Sequence, residues 1–223
     1  MAFGYQVHIA GAQQKQRLCC GRTHLAVGDL DKAREAATTL CDSLYDYASQ
    51  QVPIVGLEPS CLLTLRDEHL SLLSGDKPKV VAQHAYLFEE FIAQQLDENA
   101  LNLPELTPIA AIVKVHGHCH QKAFDLMGSV RQTLSLIPDA SVEVIDSGCC
   151  GMAGSFGYHT QTETVSRQMA ALDLVPSVNA APADAAIVAA GTSCRHQIAD
   201  CTERQAIHPA RLLRQALAGS TDS

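Results

Sequence analysis

Tryptophan is absent from this 223-residue chain, and aromatic residues make up only 4% of it. That stock supplies no stacking platform for bases. No basic run is interleaved with aromatics, and the formal net charge is −8. A nucleic-acid partner is therefore excluded. No apolar stretch approaches the ~20 residues that a membrane-spanning helix needs. The opening MAFGYQVHIAGAQQ has neither the charged start, the long apolar run nor the small-residue cleavage site of a signal peptide. These absences predict a cytoplasmic location, compatible with a peripheral position at the inner face of the membrane. Missing too are a Walker loop, a Ser-His-Asp arrangement, a pair of catalytic carboxylates and a G-x-G-x-x-G turn.

Cysteine, by contrast, is abundant: nine residues, an odd number that complete pairing cannot use. Without a secretory signal, disulfide stapling is the weaker reading and metal or redox chemistry the stronger. The chain also contains no C-x-x-C pair, which counts against a thiol redox enzyme using Cys149 or Cys150 as nucleophile.

The cysteines repeat. RLCCGRTHLAVG (17–28) and DSGCCGMAGSFG (146–157) each hold two adjacent thiols beside glycine, 130 residues apart. Forty-one residues after Cys20 comes Cys61 in VPIVGLEPSCLLTLRDE, and 44 after Cys150 comes Cys194 in AAIVAAGTSCRHQIAD. Each is an apolar β-branched run, a small turn, Ser-Cys and a helix-like stretch. Three matched cysteines in matched surroundings indicate two copies of one unit.

Buried-strand character marks residues 5–10, 52–57, 109–116, 141–146 and 185–190. Amphipathic helices are expected over 28–50, with an Asp cap, and over 80–96, 160–175 and 208–218. The alternation predicts an α/β fold: two pseudo-symmetric repeats with mainly parallel sheets. The proline-bearing stretch 98–108 reads as a linker between a first repeat, 1–97, and a second, 109–223. Cys119 precedes Cys149 by 30 residues, and counting back as far from Cys19 passes Met1. The first repeat is therefore expected to be N-terminally incomplete, a piece of a longer polypeptide.

Adjacent cysteines are poor disulfide partners, since their Cα atoms lie ~3.8 Å apart where a disulfide wants at least ~4.4 Å. Two thiolates can still bind one metal centre if the backbone between them bends, and Gly148, Gly151, Gly154 and Gly157 allow that. In a parallel sheet, loops at the strand C-termini converge on one edge. Cys119, Cys149, Cys150 and Cys194 then supply four thiolates on one rim. Four thiolates suit an iron–sulfur cluster or tetrahedral zinc. Cys19, Cys20 and Cys61 form a second, three-thiolate site that could borrow His24 or need residues upstream.

The pattern Cys119…Cys149-Cys150-Gly151…Cys194, preceded by Cys19-Cys20-Gly21…Cys61, resembles the cysteine-rich CCG domain. That domain is found in one of the subunits of heterodisulfide reductase, in glycolate oxidase iron–sulfur subunits and in lactate-utilisation proteins. GLEPSCLLTLRDE, HGHCHQKAF, SGCCGMAGSFGY and GTSCRHQI are most similar to the C-terminal part of FAD-linked 2-hydroxy-acid oxidases, and the likeness runs from about residue 17 to 214. The resemblance implies an electron relay. An iron–sulfur cluster, 4Fe-4S in type, would be held by Cys119, Cys149, Cys150 and Cys194. FAD would sit on a separate domain or subunit that oxidises a substrate such as D-lactate or glycolate. Electrons would pass on to a respiratory acceptor such as a quinone. This chain would not turn over substrate alone. In the heterodisulfide reductase version the motif ends in C-x-x-C, whose last position falls here at Gln197. The alternative is a zinc-stabilised, non-redox interaction module.

Other features read more plainly. Cys41 sits in the apolar stripe of a helix and Cys201 is structural. His116, His118 and His120 alternate, so a continuing strand would place them on one face opposite Cys119. There they would tune a cluster by hydrogen bonding, with a three-histidine zinc site the lesser reading. His208-Pro209 opens a helix. Glu58 is a turn residue, and RDEH (66–69) a solvated helix face.

Overall fold

The structure is a computed structural model that describes residues 2–11 and 18–218. It divides into two compact units, Tyr5–Phe91 and the residues from Ile92 onward joined by Ala2–Gly4. The first unit holds α1 (Arg22–Ala26), α2 (Leu30–Ala48), β1 (Ile54–Gly56), α3 (Pro59–Arg66), α4 (Glu68–Leu72), α5 (Lys77–Gln83) and β2 (Ala85–Leu87). The helix α6 (Phe88–Asp97) carries the chain across the division. The second unit holds β3 (Ile112–His116), α7 (Cys119–Ala123), α8 (Met127–Leu134), β4 (Ser141–Val144), α9 (Glu163–Leu172) and α10 (Leu174–Asn179). It continues with β5 (Ala186–Ala189), α11 (Thr192–Cys201), β6 (Ala206–Ile207) and α12 (Pro209–Gln215).

The fold is α/β and, among the described residues, the six strands pair in parallel, with an isolated antiparallel bridge between Leu106 and Leu217. The first sheet is β1-β2 and the second is β4-β3-β5-β6. Apolar runs such as Ile187-Val188-Ala189 are buried because parallel strands are covered on both faces. The two units share a register. Ile54 pairs with Ala85 and Val55 with Tyr86, while Ile187 pairs with Ala206 and Val188 with Ile207. In each, the first strand of that pair leads directly into the helix with Ser-Cys. The counterpart strands differ in company. β5 lies between β3 and β6, whereas β1 has β2 alone. Val55 is accordingly 42% exposed and Val188 fully buried.

Local chemistry explains the elements. The Asp29 carboxylate accepts from Lys32 N at the start of α2, as the expected cap. Ala33, Ala37, Cys41, Leu44 and Ala48 line the buried face of that helix, which places Cys41 in the core. His208 caps α12, its Nδ1 accepting from Ala210 N at 3.1 Å, with Pro209 in the first turn.

Three expectations are corrected. Residues 5–10 form no strand; they run as coil, with Tyr5 edge-on to Phe91 and Val7 and Ile9 exposed. The helix expected over 80–96 is cut by β2. Ala85 and Leu87 gain full burial beside β1, and Ile54 N donates to His84 O, so pairing overrides helical periodicity. The helix expected over 160–175 closes at Leu172, and a second begins at Leu174. Pro176 forces the break, since its ring collides with the carbonyl of Leu172 in a continuous helix. Residues 98–108, read as a linker, are coil tied to the second unit through Thr107 N→Ala216 O and Ala218 N→Glu105 O.

Candidate metal centre

Each thiol of the second unit is placed by a backbone device. β3 ends at His116, and Gly117 allows Met127 to close over the turn, where a Cβ would meet its sulfur at 2.6 Å. His118 then caps α7: its Nδ1 accepts from His120 N, and the Gln121 side chain accepts from His118 N at 3.0 Å. Cys119 follows as the first helical residue. The strand therefore does not continue, and the three histidines share no strand face. His116 lies on β3, His118 at the cap and His120 in α7.

The Cys149-Cys150 loop leaves β4 and bends at Gly151, whose φ of 89° few other residues tolerate. A Cβ there would strike Ser166 O of α9 at 2.2 Å. Gly151 N donates to Cys149 Sγ at 3.3 Å. Lys122 Nζ donates to Ser147 O and Gly148 O, fastening α7 to the start of the loop. Cys194 is the third residue of α11. Gly191 before that helix leaves room for His118, whose ring a Cβ would meet at 2.5 Å.

The four thiols interact in sequence. Cys149 is drawn far below the ordinary thiol range by hydrogen bonding from Cys119 and then Cys150. Cys119 is pushed up, first by sharing that proton with Cys149 and then by burial. Cys150 is pushed up by Cys149 and Cys194, and Cys194 is drawn down by Cys150 and by the His116 imidazole. The four thiols therefore titrate as one coupled set, with Cys149 and Cys194 favoured as thiolates over Cys119 and Cys150. A cation displaces such protons, because the thiolate is the ligand. Cys150 and Cys194 lie within the apolar cluster of Ile145, Met152, Leu174 and Ile198, where an uncompensated thiolate is costly. Cys119 is exposed, so the group reaches from core to surface.

His116 completes the cluster. It is 1% exposed, and its ligand atom lies within 4.8 Å of those of Cys150 and Cys194. Nδ1 is 3.0 Å from Ser147 Oγ, while Nε2 is buried with no nitrogen or oxygen partner. A buried ring nitrogen left open beside two core thiols fits a site shaped for a metal group.

The first unit repeats the design in part. Gly21 has φ 80° and a Cβ there would meet Ala33 O at 2.8 Å; its N–H donates to Cys19 Sγ at 3.4 Å. Cys61 is the third residue of α3, whose cap is Glu58, accepting from Ser60 N and Ser60 Oγ. Hydrogen bonding with Cys61 draws Cys20 down to about 6 and pushes Cys61 up. His24 lies in α1 and acts electrostatically on Asp29. The RDEH stretch is corrected: only Asp67 is exposed. Arg66 pairs with Glu90, Glu68 pairs with Arg22, and His69, 1% exposed, donates from Nε2 to Cys20 O at 2.8 Å. His69 and Lys122 were not singled out by motif, and each reveals its partner only once the chain is folded. Cys201 closes α11 and accepts from Arg167 at 3.7 Å, a structural position.

Residues 113–199 match the family of the cysteine-rich domain, CCG. Over 204 residues the chain is 33% identical to a subunit of the anaerobic glycerol-3-phosphate dehydrogenase of Escherichia coli, covering 90% of this chain and 50% of that protein. Over 193 residues it is 28% identical to the D-2-hydroxyglutarate dehydrogenase of Pseudomonas putida, covering 84% of this chain and 18% of that protein. The D-2-hydroxyglutarate dehydrogenase of E. coli is 25% identical over 199 residues, covering 88% of this chain and 19% of that protein. The chain therefore spans about half the length of the first relative and under a fifth of the other two. These relatives are dehydrogenases or dehydrogenase subunits. The two helices that carry Cys119 and Cys194 and the loop that carries Cys149 and Cys150 hold these four residues within 113–199, the part of the chain that matches the CCG cysteine-rich domain.

Proposed function

We propose that this chain is the iron–sulfur electron-transfer portion of a flavin-dependent dehydrogenase. It would take electrons from an FAD-bearing domain or subunit and pass them to a downstream acceptor such as a quinone. The observation that carries the reading is the run of four interacting thiols, Cys119, Cys149, Cys150 and Cys194, within a domain whose relatives belong to dehydrogenases. These residues would hold a cluster, 4Fe-4S in type, which when bound supplies one-electron storage between a two-electron flavin and its acceptor. Cys150 and Cys194 hold the inner side and exclude water. Cys119, which is exposed, would be the outermost of the four ligands. Lys122 fixes the loop and places a positive charge near sulfurs that gain negative charge when all four ionise. Cys19, Cys20 and Cys61 would form a second, three-thiolate site. No helix of the described residues is long and apolar enough to cross a membrane, which suits a cytoplasmic protein docked at the inner face of one.

The test is to purify the chain without oxygen and reconstitute it with iron and sulfide. Iron, acid-labile sulfide and the visible and electron paramagnetic resonance spectra are then recorded. A brown protein with stoichiometric iron and sulfide, bleached by Cys149→Ser or Cys150→Ser, is expected. Stoichiometric zinc with no cluster signal would replace this reading with a structural metal module.

A further inference from the structure

We propose that His116 is itself a ligand of the group held by Cys119, Cys149, Cys150 and Cys194, bound through Nε2; this rests on the cluster reading above. Four observations converge on it. Nε2 is buried in a residue 1% exposed with no nitrogen or oxygen partner, and the ring interacts with the Cys194 thiol. Such a nitrogen in an apolar core goes unsatisfied unless something binds it. The histidine ligand atom lies within 4.8 Å of the Cys150 and Cys194 sulfurs, which is close enough for all three to reach one centre. Nδ1 is occupied by Ser147 Oγ at 3.0 Å. Ligation through Nε2 leaves the proton on Nδ1, which donates to that hydroxyl. A ligating imidazole is normally oriented in just this way, by a hydrogen bond at its other nitrogen. Finally, Gln197, where a C-x-x-C ending would put a fifth thiol, is committed elsewhere. Its amide donates to Ser166 O at 3.1 Å and Ser166 Oγ at 3.0 Å, holding α11 to α9. The site thus lacks a fifth sulfur and possesses a fifth ligand of another kind, delivered by the end of β3.

Compared with a set of five thiolates, four thiolates and a neutral imidazole carry one negative charge less, so the reduced state is easier to reach and the potential is higher. His116 would in this way set the acceptor strength of the centre.

The experiment uses the full chain, labelled with ¹⁵N-histidine and reconstituted anaerobically with iron and sulfide. Pulsed electron paramagnetic resonance reads the nitrogen coupling of the reduced cluster. A strong ¹⁵N coupling is expected, retained in His118→Gln and His120→Gln and lost in His116→Gln. His116→Cys is expected to assemble a cluster of lower potential without that coupling. A cluster showing only the weak coupling of a hydrogen-bonded ring, in protein of unaltered circular dichroism, would overturn ligation and leave the relay reading standing. Failure of the wild-type chain to take up iron and sulfide would overturn the relay reading, and the ligand assignment with it.

Discussion

Glu89 stands on the first turn of α6, where the helix dipole favours a negative charge, yet it is only 2% exposed. Burial wins, and its carboxyl is pushed up to about 7, against an ordinary 4.5. The native chain therefore keeps this proton at pH values where the unfolded chain has released it. Stability from Glu89 is complete below pH 4.5 and is lost as pH rises toward 7, by on the order of 3 kcal/mol. Glu89→Gln should flatten that slope and raise denaturant midpoints at pH 7.5 while changing little at pH 4. An unchanged pH slope in the variant would refute the assignment. At this scale the sequence showed the thiols and concealed their neighbours. Cysteine type, spacing and flanking glycine mark the candidate ligands by themselves. His69, Glu89 and the open nitrogen of His116 owe their character to burial among residues distant in the chain, which no local pattern encodes.

Both Cys-Cys-Gly loops turn on a left-handed glycine pressed against a following helix, Gly21 on α2 and Gly151 on α9. The fit is tighter at Gly151, 2.2 Å to Ser166 O against 2.8 Å to Ala33 O. Gly151→Ala should therefore cost on the order of 3 kcal/mol and weaken iron uptake by the second unit, with Gly21→Ala the milder change. Urea melts and iron titrations of the two variants would show the order, and equal effects would argue against it. Elements were legible wherever one signal dominated. The β-branched runs of β1, β3, β4 and β5, the Asp cap of α2 and the proline start of α12 each speak locally. They failed where local and long-range demands conflict. Ala85, Tyr86 and Leu87 carry a helical period, yet pair with β1 because the register of the sheet offers them burial.

Taken whole, the chain repeats a strand pair in identical register and equips the two copies unequally. The α/β class and the duplication could be read from the cysteine spacing and the alternation of apolar runs with helical stretches. The breadth of each sheet could not, since strand order depends on crossovers that short apolar runs do not specify. That inequality has a colloidal consequence. Among the described strands β1 has β2 as its one partner, and Val55 at 42% and Leu57 at 56% exposure put apolar surface at this short edge. The expected consequence is weak association of two copies of the chain at this edge. Light scattering of the wild type should rise with concentration, and Val55→Lys should suppress that rise without altering the thermal melt; scattering indifferent to the lysine would locate the sticky surface elsewhere. The strand that best explains the duplication is thus also the one that would limit how concentrated this protein can be kept in solution.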